Sequence, residues 1–481
     1  MLGDLGASDA TELAQWIAKG KISAHEALDA ALMAVEAHNE ALNAVVLIQE
    51  DIAREAIDAG LPDGPFKGVP FLLKDLGCEA KDFPAHCGSR LYANTTYEAD
   101  NTIFKRMKTT GLNTFGRTTV PESAVGIATE AVVYGGPTRN PWNLEHTPGG
   151  SSGGAAAAVA AGIVAIAHGS DGGGSVRVPA SNCGLFGMKP TRGRLPDGPY
   201  AGESWGGMAI DGFLSHSVRD SAVILDATSG PEVGAPYWAP PLKQGFVAAI
   251  QRPPKALRIA ICDTTFEGKA IDPEVAQAVR ETGRLLESLG HYVEVARPRA
   301  NIGSMMRAWT DIVAVGTALS LRARFPEGPI PEHLVERVCR TAVIHAESLP
   351  PTRYLQAIED IHDFGREMAY FFEPQDGSAG YDILLNATIA ELPAKIGRFA
   401  HSVTDYVDYR LGEGRTFDYS PFAAAFNASG QPAASLPLGQ SASGLPIGVH
   451  LSAAFGADEL LIALCAQIEA AAPWVHRRAP L

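Results

Sequence analysis

Two short runs that combine glycine with serine constrain this chain most: residues 149–154 read GGSSGG and residues 172–175 read GGGS. Consecutive glycines carry no Cβ, so such loops can turn tightly and direct several backbone N–H groups at one point. Both runs follow an apolar segment, residues 69–73 (VPFLL), that ends at Lys74. The combination predicts a serine nucleophile that is activated by a lysine.

Ser175 is the candidate nucleophile because three glycines precede it directly. A carbonyl oxygen that becomes an oxyanion during attack needs converging donors, and the loss of one such donor typically costs about 3 kcal/mol of barrier. The candidate donors are the amides of Gly172, Gly173, Gly174 and Ser175. Taken alone, the three glycines favour a simple turn before a strand.

Lys74 is the candidate base. Burial at the end of an apolar run disfavours the ammonium form and lowers the pKa of a lysine, as general-base chemistry near neutrality requires. Ser151 lies between glycines, where its hydroxyl could pass a proton between Ser175 and the base. Two structural alternatives remain open: Asp75 could form an ordinary ion pair with Lys74, and residues 149–154 could form a flexible loop or an anion-binding nest.

Other catalytic patterns receive less support. The first run fits G-x-S-x-G, but a nucleophile elbow must follow a strand, and residues 142–148 (WNLEHTP) are a poor strand. The chain contains neither H-E-x-x-H nor G-x-G-x-x-G, so we expect no metal and no cofactor. His168 is interpreted as a strand residue with a hydrogen-bonded imidazole.

Net charge and cysteine content limit which binding partners and which cellular compartment we expect. The 39 Lys and Arg residues against 54 Asp and Glu residues give a net charge of −15, which disfavours nucleic acid and anionic membranes as partners. The six cysteines form no C-x-x-C pair, which favours a reducing compartment. Residues 1–6 lack the features of a signal peptide. We therefore expect a cytoplasmic protein.

Hydrophobic periodicity predicts an α/β organisation in one domain, residues 1–481. Helical spacing covers about 9–60, with Ser8 or Asp9 as the first cap, and short apolar runs typical of strands begin at Val69. A strand, a helix and a strand are predicted in 256–296, and helices dominate 303–375. The remaining predictions are strands at 381–386, 434–438 and 447–451, and a last helix at 458–471.

The motifs together resemble the amidase signature family. The residues that carry this resemblance are Lys74, the run 149–154, and the segments 170–180 (SDGGGSVRVPA), 183–184, 187–191 (GMKPT), 426–432 and 445–449. It extends over nearly the whole chain. It implies a mixed central β-sheet with helices on both faces, an amino-terminal helical layer (1–60), a catalytic core (65–230) and a segment (303–375) that shapes the substrate pocket.

The resemblance also implies roles for individual residues. Ser175 would be the nucleophile, Ser151 a proton-relaying serine after a cis peptide bond, and Lys74 the base in its neutral form. The amides of residues 172–175 would form the oxyanion hole, and Asp171 and Arg177 would brace that loop. The implied reaction is hydrolysis of small, largely uncharged linear or cyclic amides through an acyl-enzyme, with esters and carbamates as further candidate substrates.

Two other functions fit the same fold. One is the amidase subunit of a tRNA-dependent amidotransferase, and the other is a non-catalytic binding protein on this scaffold. A homodimer is expected at the level of the family. The chain also departs from the family pattern, because many members have a bulkier residue where Gly172 stands; this predicts a looser loop and a roomier acyl site. Residues 202–206 (GESWG) are predicted to border the pocket or to form a surface loop.

Overall fold

The computed structural model describes residues 8–481, and within this range the strands form one mixed sheet of eleven strands. In chain order the strands are β1 (Val45–Ile48), β2 (Pro70–Lys74), β3 (Asn113–Thr118), β4 (Ile166–Asp171), β5 (Phe186–Lys189), β6 (Ile210–Ser215), β7 (Arg258–Ile261), β8 (Tyr292–Val295), β9 (Ile383–Ala387), β10 (Ala433–Gln440) and β11 (Pro446–Ala453). Their spatial order is β1-β3-β2-β4-β6-β5-β10-β11-β9-β7-β8. Strand β2 is parallel to β3 and β4, β7 is parallel to β8 and β9, and the other neighbours are antiparallel.

The α-helices of the described range precede β1, lie in connections between strands, or follow β11. They are α1 (Ala10–Ala18), α2 (Ala24–Leu42), α3 (Glu50–Ala59), α4 (Thr102–Thr109), α5 (Gly153–Ala160), α6 (Arg177–Cys183), α7 (Val218–Thr228), α8 (Phe246–Ala249), α9 (Pro273–Ser288), α10 (Ile302–Arg322), α11 (Arg337–Ser348), α12 (Arg353–Phe372), α13 (Tyr406–Leu411), α14 (Thr416–Tyr419), α15 (Ala423–Ser429) and α16 (Asp458–Ala471).

Helices cover both faces of the sheet, as the alternation of residues along β2 shows. Phe71 and Leu73 belong to an apolar cluster that includes residues of α7, whereas Leu72 belongs to a second cluster that includes residues of α2 and α5. Successive side chains of a strand point to opposite faces, so the two clusters lie on opposite sides of the sheet. The predicted α/β fold is confirmed.

Most of the predicted elements are present, with small shifts at their ends. Asp9 caps α1 by accepting from the amide of Glu12, and Asp272 caps α9 with Pro273 as its first residue. Strands β7 and β8 flank α9 and are parallel, as the predicted strand-helix-strand unit requires. The segment 303–375 forms helices α10, α11 and α12.

One strand lies where only helices were expected. Strand β1 interrupts the amino-terminal helical layer, because Val45, Leu47 and Ile48 pair antiparallel with β3, with a register shift after Val45. The partner strand is distant in sequence, and a strand of four residues is too short to show a clear hydrophobic periodicity. Sequence patterns therefore did not predict β1.

Two sequence expectations concern the cysteines and residues 1–6. The six cysteines all lie within residues 8–481 and are free thiols there. No helix of the described range is long and apolar enough to cross a bilayer. The expectation for residues 1–6 lies outside the described residues.

The parallel pairing of β2 with β4 positions the site. Leu72 pairs with Ala167 in this ladder, so the carboxyl ends of the two strands meet at the same edge of the sheet. Lys74 ends β2 and Asp171 ends β4, and the GGGS run follows Asp171 directly. The candidate base and the candidate nucleophile loop therefore emerge side by side.

A buried arginine on β3 fixes the end of β2. The Arg117 guanidinium is fully buried and donates to the carbonyl of Lys74 at 2.6 Å, to that of Phe83 at 2.8 and 3.0 Å, and to that of Cys78 at 3.1 Å. Each bond is charge-assisted, and each acceptor would otherwise be a buried carbonyl that has to find another partner. Arg117 thus ties the loop after β2 to the strand that carries Lys74.

We expect Arg117→Met to lower the free energy of unfolding by roughly 3–5 kcal/mol, because it removes these bonds and leaves buried carbonyls unpaired. Urea denaturation measures the change. The control is Arg284→Met: Arg284 is 61% exposed in its side chain and lies 3.8 Å from Glu281, and such a surface pair contributes less than about 1 kcal/mol. Equal losses in the two variants would contradict the role given to Arg117.

Candidate active site

Lys74 is fully buried and lies within hydrogen-bonding distance of two serines. Its Nζ is 2.7 Å from Ser151 Oγ and 2.8 Å from Ser170 Oγ. Burial lowers the pKa of Lys74 to about 7, against the opposing attraction of the Asp211 and Asp171 carboxylates. A substantial fraction of this amine is therefore neutral near pH 7 and able to accept a proton.

The alternative ion pair between Lys74 and Asp75 is not formed. The Asp75 carboxylate accepts instead from the amide of His86 at 3.0 Å and from the hydroxyl of Tyr134. The second hydroxyl beside the Lys74 amine belongs to Ser170, which was not among the predicted site residues.

Ser151 follows a cis peptide bond with Gly150, as the family resemblance implies. The loop that carries it is tied to the second run, because the amide of Ser152 donates to the carbonyl of Ser175 at 3.2 Å. Residues 142–148 form no strand, so the structural context of a nucleophile elbow is absent from this part of the described chain. His168 lies on β4 with its imidazole Nε2 3.1 Å from Asp211 Oδ1, in the structural role expected of it.

Ser175 and Ser151 line the same cavity, but their hydroxyls are not hydrogen-bonded to each other in the described structure. Of the two links in the predicted relay, the one from Lys74 to Ser151 is formed. The link from Ser175 to Ser151 is not formed. Catalytic hydrogen bonds are often long without substrate and tighten in the complex.

One of the four candidate oxyanion donors is already engaged within the loop. The amide of Gly174 donates to Asp171 Oδ1 at 2.8 Å, so it is already engaged. Across residues 8–481, the amides of Gly172, Gly173 and Ser175 have no protein acceptor. Three of the four candidate donors are thus not engaged by the protein. Sequence alone does not reveal which of these amides donates to the Asp171 carboxylate.

Asp171 and Arg177 form a buried pair beneath this loop. Arg177 Nε and Nη2 donate to the Asp171 carboxylate at 3.0 and 2.9 Å, and both side chains have no exposed surface. Burial alone would raise the pKa of Asp171, but the charge and hydrogen bonds of Arg177 hold it well below its usual range. Asn427, which the sequence analysis named only as part of a family segment, donates to both the carboxylate and the carbonyl of Asp171 at 2.9 and 2.8 Å.

A cavity of about 420 Å³ opens in front of the two serines. Ser151, Ser170 and Ser175 line this cavity. Its charged lining residues are Glu79, Asp197, Asp211 and Arg324. Burial raises the pKa of Asp197 to about 7, and burial also raises that of Glu79. Within residues 8–481, no group of three or more His, Cys, Asp and Glu side chains is placed to hold a metal ion.

Trp205 corrects the expectation of a looser loop and a roomier acyl site. A Cβ added to Gly172 would lie 2.6 Å from Cζ3 of the Trp205 ring, so the indole already fills the space that a bulkier residue would take. Trp205 has a φ of 52°, in the left-handed region that costs a non-glycine residue about 1 kcal/mol or more. Ser204 and Trp205 line the cavity, so the 202–206 segment does border the pocket.

The sheet, the two glycine-serine loops and the buried lysine define an α/β enzyme scaffold with a serine-lysine site. A model of the Amidase family matches residues 26–462. The chain belongs to the amidase signature family, a family of hydrolases that act on C–N bonds.

Individual relatives agree with this assignment. The 6-aminohexanoate-cyclic-dimer hydrolase of Paenarthrobacter ureafaciens is 36% identical over 484 residues, covering 98% of this chain and 96% of the relative. A solved structure of 6-aminohexanoate cyclic dimer hydrolase complexed with substrate superposes with a TM-score of 0.92 at 34% identity, covering 99% of both chains. A bacterial aryl acylamidase of the same family superposes with a TM-score of 0.87 at 27% identity, covering 98% of this chain and 99% of the acylamidase.

The Trp205 ring occupies the space that a side chain at residue 172 would need. We expect Gly172→Ala to lower the free energy of unfolding by about 1–3 kcal/mol, because the added methyl overpacks against the indole. In the double variant Gly172→Ala/Trp205→Leu, which removes the ring, we expect a favourable coupling of about 1 kcal/mol or more. Urea unfolding of the wild type, both single variants and the double variant measures this cycle. Strict additivity would show that the two residues do not compete for this space.

Proposed function

We propose that the chain hydrolyses C–N bonds of small, largely uncharged linear or cyclic amides through a Ser175–Ser151–Lys74 triad and an acyl-enzyme intermediate. The single observation that carries the proposal is the fully buried Lys74 amine 2.7 Å from the Ser151 hydroxyl, at the end of a strand that runs beside the Ser175 loop. A buried amine without a carboxylate in contact with it is suited to act as a base.

In the acylation step, Ser175 Oγ attacks the amide carbon while its proton passes to Ser151 Oγ and the Ser151 proton passes to Lys74 Nζ. The developing oxyanion accepts from the open amides of Gly172, Gly173 and Ser175. The amine then leaves with a proton returned through Ser151. Water releases the acid from Ser175 by the same relay, which restores all three groups.

The lining of the cavity argues against an anionic substrate. Three carboxyl groups, of Glu79, Asp197 and Asp211, face one guanidinium, that of Arg324, in a space of about 420 Å³. Such a surface repels a carboxylate on the substrate, and its volume lies within the range of small-molecule sites. The family relatives named for a cyclic dimer and for aryl acylamides are consistent with both cyclic and linear amides as substrates. Esters and carbamates carry an equally attackable carbonyl and belong in the same screen.

The variants Ser175→Ala, Ser151→Ala and Lys74→Met are each expected to lower kcat/KM by about 10³-fold or more, because triad members act as a unit. Steady-state hydrolysis of a panel of aliphatic, cyclic and aryl amides, esters and carbamates measures this. Mass spectrometry of quenched wild type should show an acyl adduct that Ser175→Ala lacks. Ser152→Ala is the matched control: its hydroxyl bonds the Ser170 backbone at 3.3 Å, so we expect less than about a 10-fold effect.

The same screen separates the two alternative functions. An amidase subunit of a tRNA-dependent amidotransferase would show glutaminase activity and co-purify with a second subunit. A binding protein would turn over no member of the panel, and the triad variants would then change nothing.

The pKa of Lys74 predicts the pH dependence. Only the neutral amine accepts a proton, so kcat/KM should fall about tenfold per pH unit below about 7 and reach a plateau above it. Asp197 has a raised pKa in the same range, so Asp197→Asn is the control. The inflection should persist in this variant. A profile that is flat from pH 5 to 9, or an inflection that disappears with Asp197, would contradict the assignment of Lys74.

A further inference from the structure

We propose that Trp309 is a positioning residue for the oxyanion hole: its indole N–H holds the carbonyl of Gly172 and thereby directs the amide of Gly173 toward the reacting carbonyl. This inference rests on the proposed function, but it concerns a residue outside the proposed triad. Trp309 lies in α10, is 3% exposed, and donates from Nε1 to the Gly172 carbonyl at 3.0 Å across 137 residues of sequence.

Peptide planarity makes this bond directional. In a trans peptide the C=O and the following N–H lie in one plane and point in opposite directions. Fixing the oxygen of Gly172 therefore fixes the direction of the Gly173 N–H. Gly172 and Gly173 have no side chains of their own to restrict the backbone, so an external anchor has more effect here than elsewhere.

The loop is anchored from both ends by different groups. Asp171 Oδ1 accepts from the amide of Gly174 at 2.8 Å, and Trp309 donates to the carbonyl of Gly172. The amide of Gly173 lies between these two anchors and has no protein acceptor in residues 8–481. It is therefore held in place while its N–H stays available to a ligand, as transition-state stabilisation requires.

The position of the Trp309 ring is itself fixed. Its ring centroid lies 5.5 Å from that of Phe417 and 6.0 Å from that of Trp205, both in edge-to-face contact, and the Arg410 guanidinium lies 4.7 Å from it. A Cβ on Gly173 would come within 2.7 Å of Cζ2 of Trp309, so the close approach depends on a glycine there. These contacts hold the donor against the loop.

The test compares two tryptophans that each donate one buried N–H to a carbonyl. Trp309→Phe keeps an aromatic ring and removes the donor. Trp474→Phe makes the same change away from the site: Trp474 is 2% exposed, and its Nε1 donates to the carbonyl of His216 at 2.8 Å.

We expect Trp309→Phe to lower kcat about 10- to 100-fold with KM within about threefold. We also expect it to weaken the binding of phenylboronic acid, a probe that places an oxygen in the oxyanion hole, by a similar factor. Trp474→Phe should leave kcat unchanged while losing comparable thermal stability.

A readout that does not need turnover keeps the inference separate from the proposed function. Hydrogen exchange of a peptide that covers residues 172–176 should be faster in Trp309→Phe than in the wild type and in Trp474→Phe. If the wild type hydrolyses no amide, ester or carbamate, the proposed function fails, and the exchange measurement alone decides the positioning role. Unchanged exchange in Trp309→Phe, or in an active enzyme an unchanged kcat, would overturn it.

Discussion

The desolvation of one amine, that of Lys74, is the constraint around which this site is arranged. An ammonium group in a fully buried position is costly unless a counter-ion or several acceptors compensate it. The sheet delivers Lys74 to such a position at the carboxyl end of β2, and Arg117 holds the carbonyl of the same residue. The partners within reach of the amine are hydroxyl and carbonyl oxygens of Ser151 and Ser170 instead of carboxylates. The amine is thus held near the point at which it can gain or lose a proton.

The neighbouring buried carboxylate, that of Asp171, does have a counter-ion in direct contact. Asp171 and Arg177 are equally buried, but they contact each other directly and share Asn427, and the pKa of the Asp171 carboxyl is held below its usual range. A satisfied buried pair fixes geometry, whereas an amine without a counter-ion in contact retains a variable protonation state. The two arrangements lie at the carboxyl ends of the adjacent strands β2 and β4: the Asp171–Arg177 pair braces the loop, and Lys74 is the candidate base.

The part of the site that sequence could predict is the part encoded locally. Lys74, Ser151, Ser175, Asp171 and Arg177 lie in short motifs or at the end of an apolar run, and the structure brings them to one edge of the sheet. Trp309 approaches the Gly172 carbonyl across 137 residues, and Trp205 fills the space beside Gly172 through a strained loop conformation. Such contacts depend on tertiary packing, so the sequence predicted more space at Gly172 than the fold leaves. For the same reason strand β1, which exists through its pairing with β3, was not foreseen.

A second lysine shows why a perturbed pKa does not identify a catalytic base on its own. Lys189 is also buried, and burial together with the nearby Arg177 lowers its pKa to about 7, as in Lys74. Its Nζ donates to the carbonyl of Pro190 at 2.8 Å. A carbonyl only accepts, so it cannot pass a proton onward, whereas the Ser151 hydroxyl beside Lys74 both accepts and donates. The difference between a structural and a functional buried lysine here lies in the partner atom, and the cavity on the far side of Ser151 gives that partner access to a substrate.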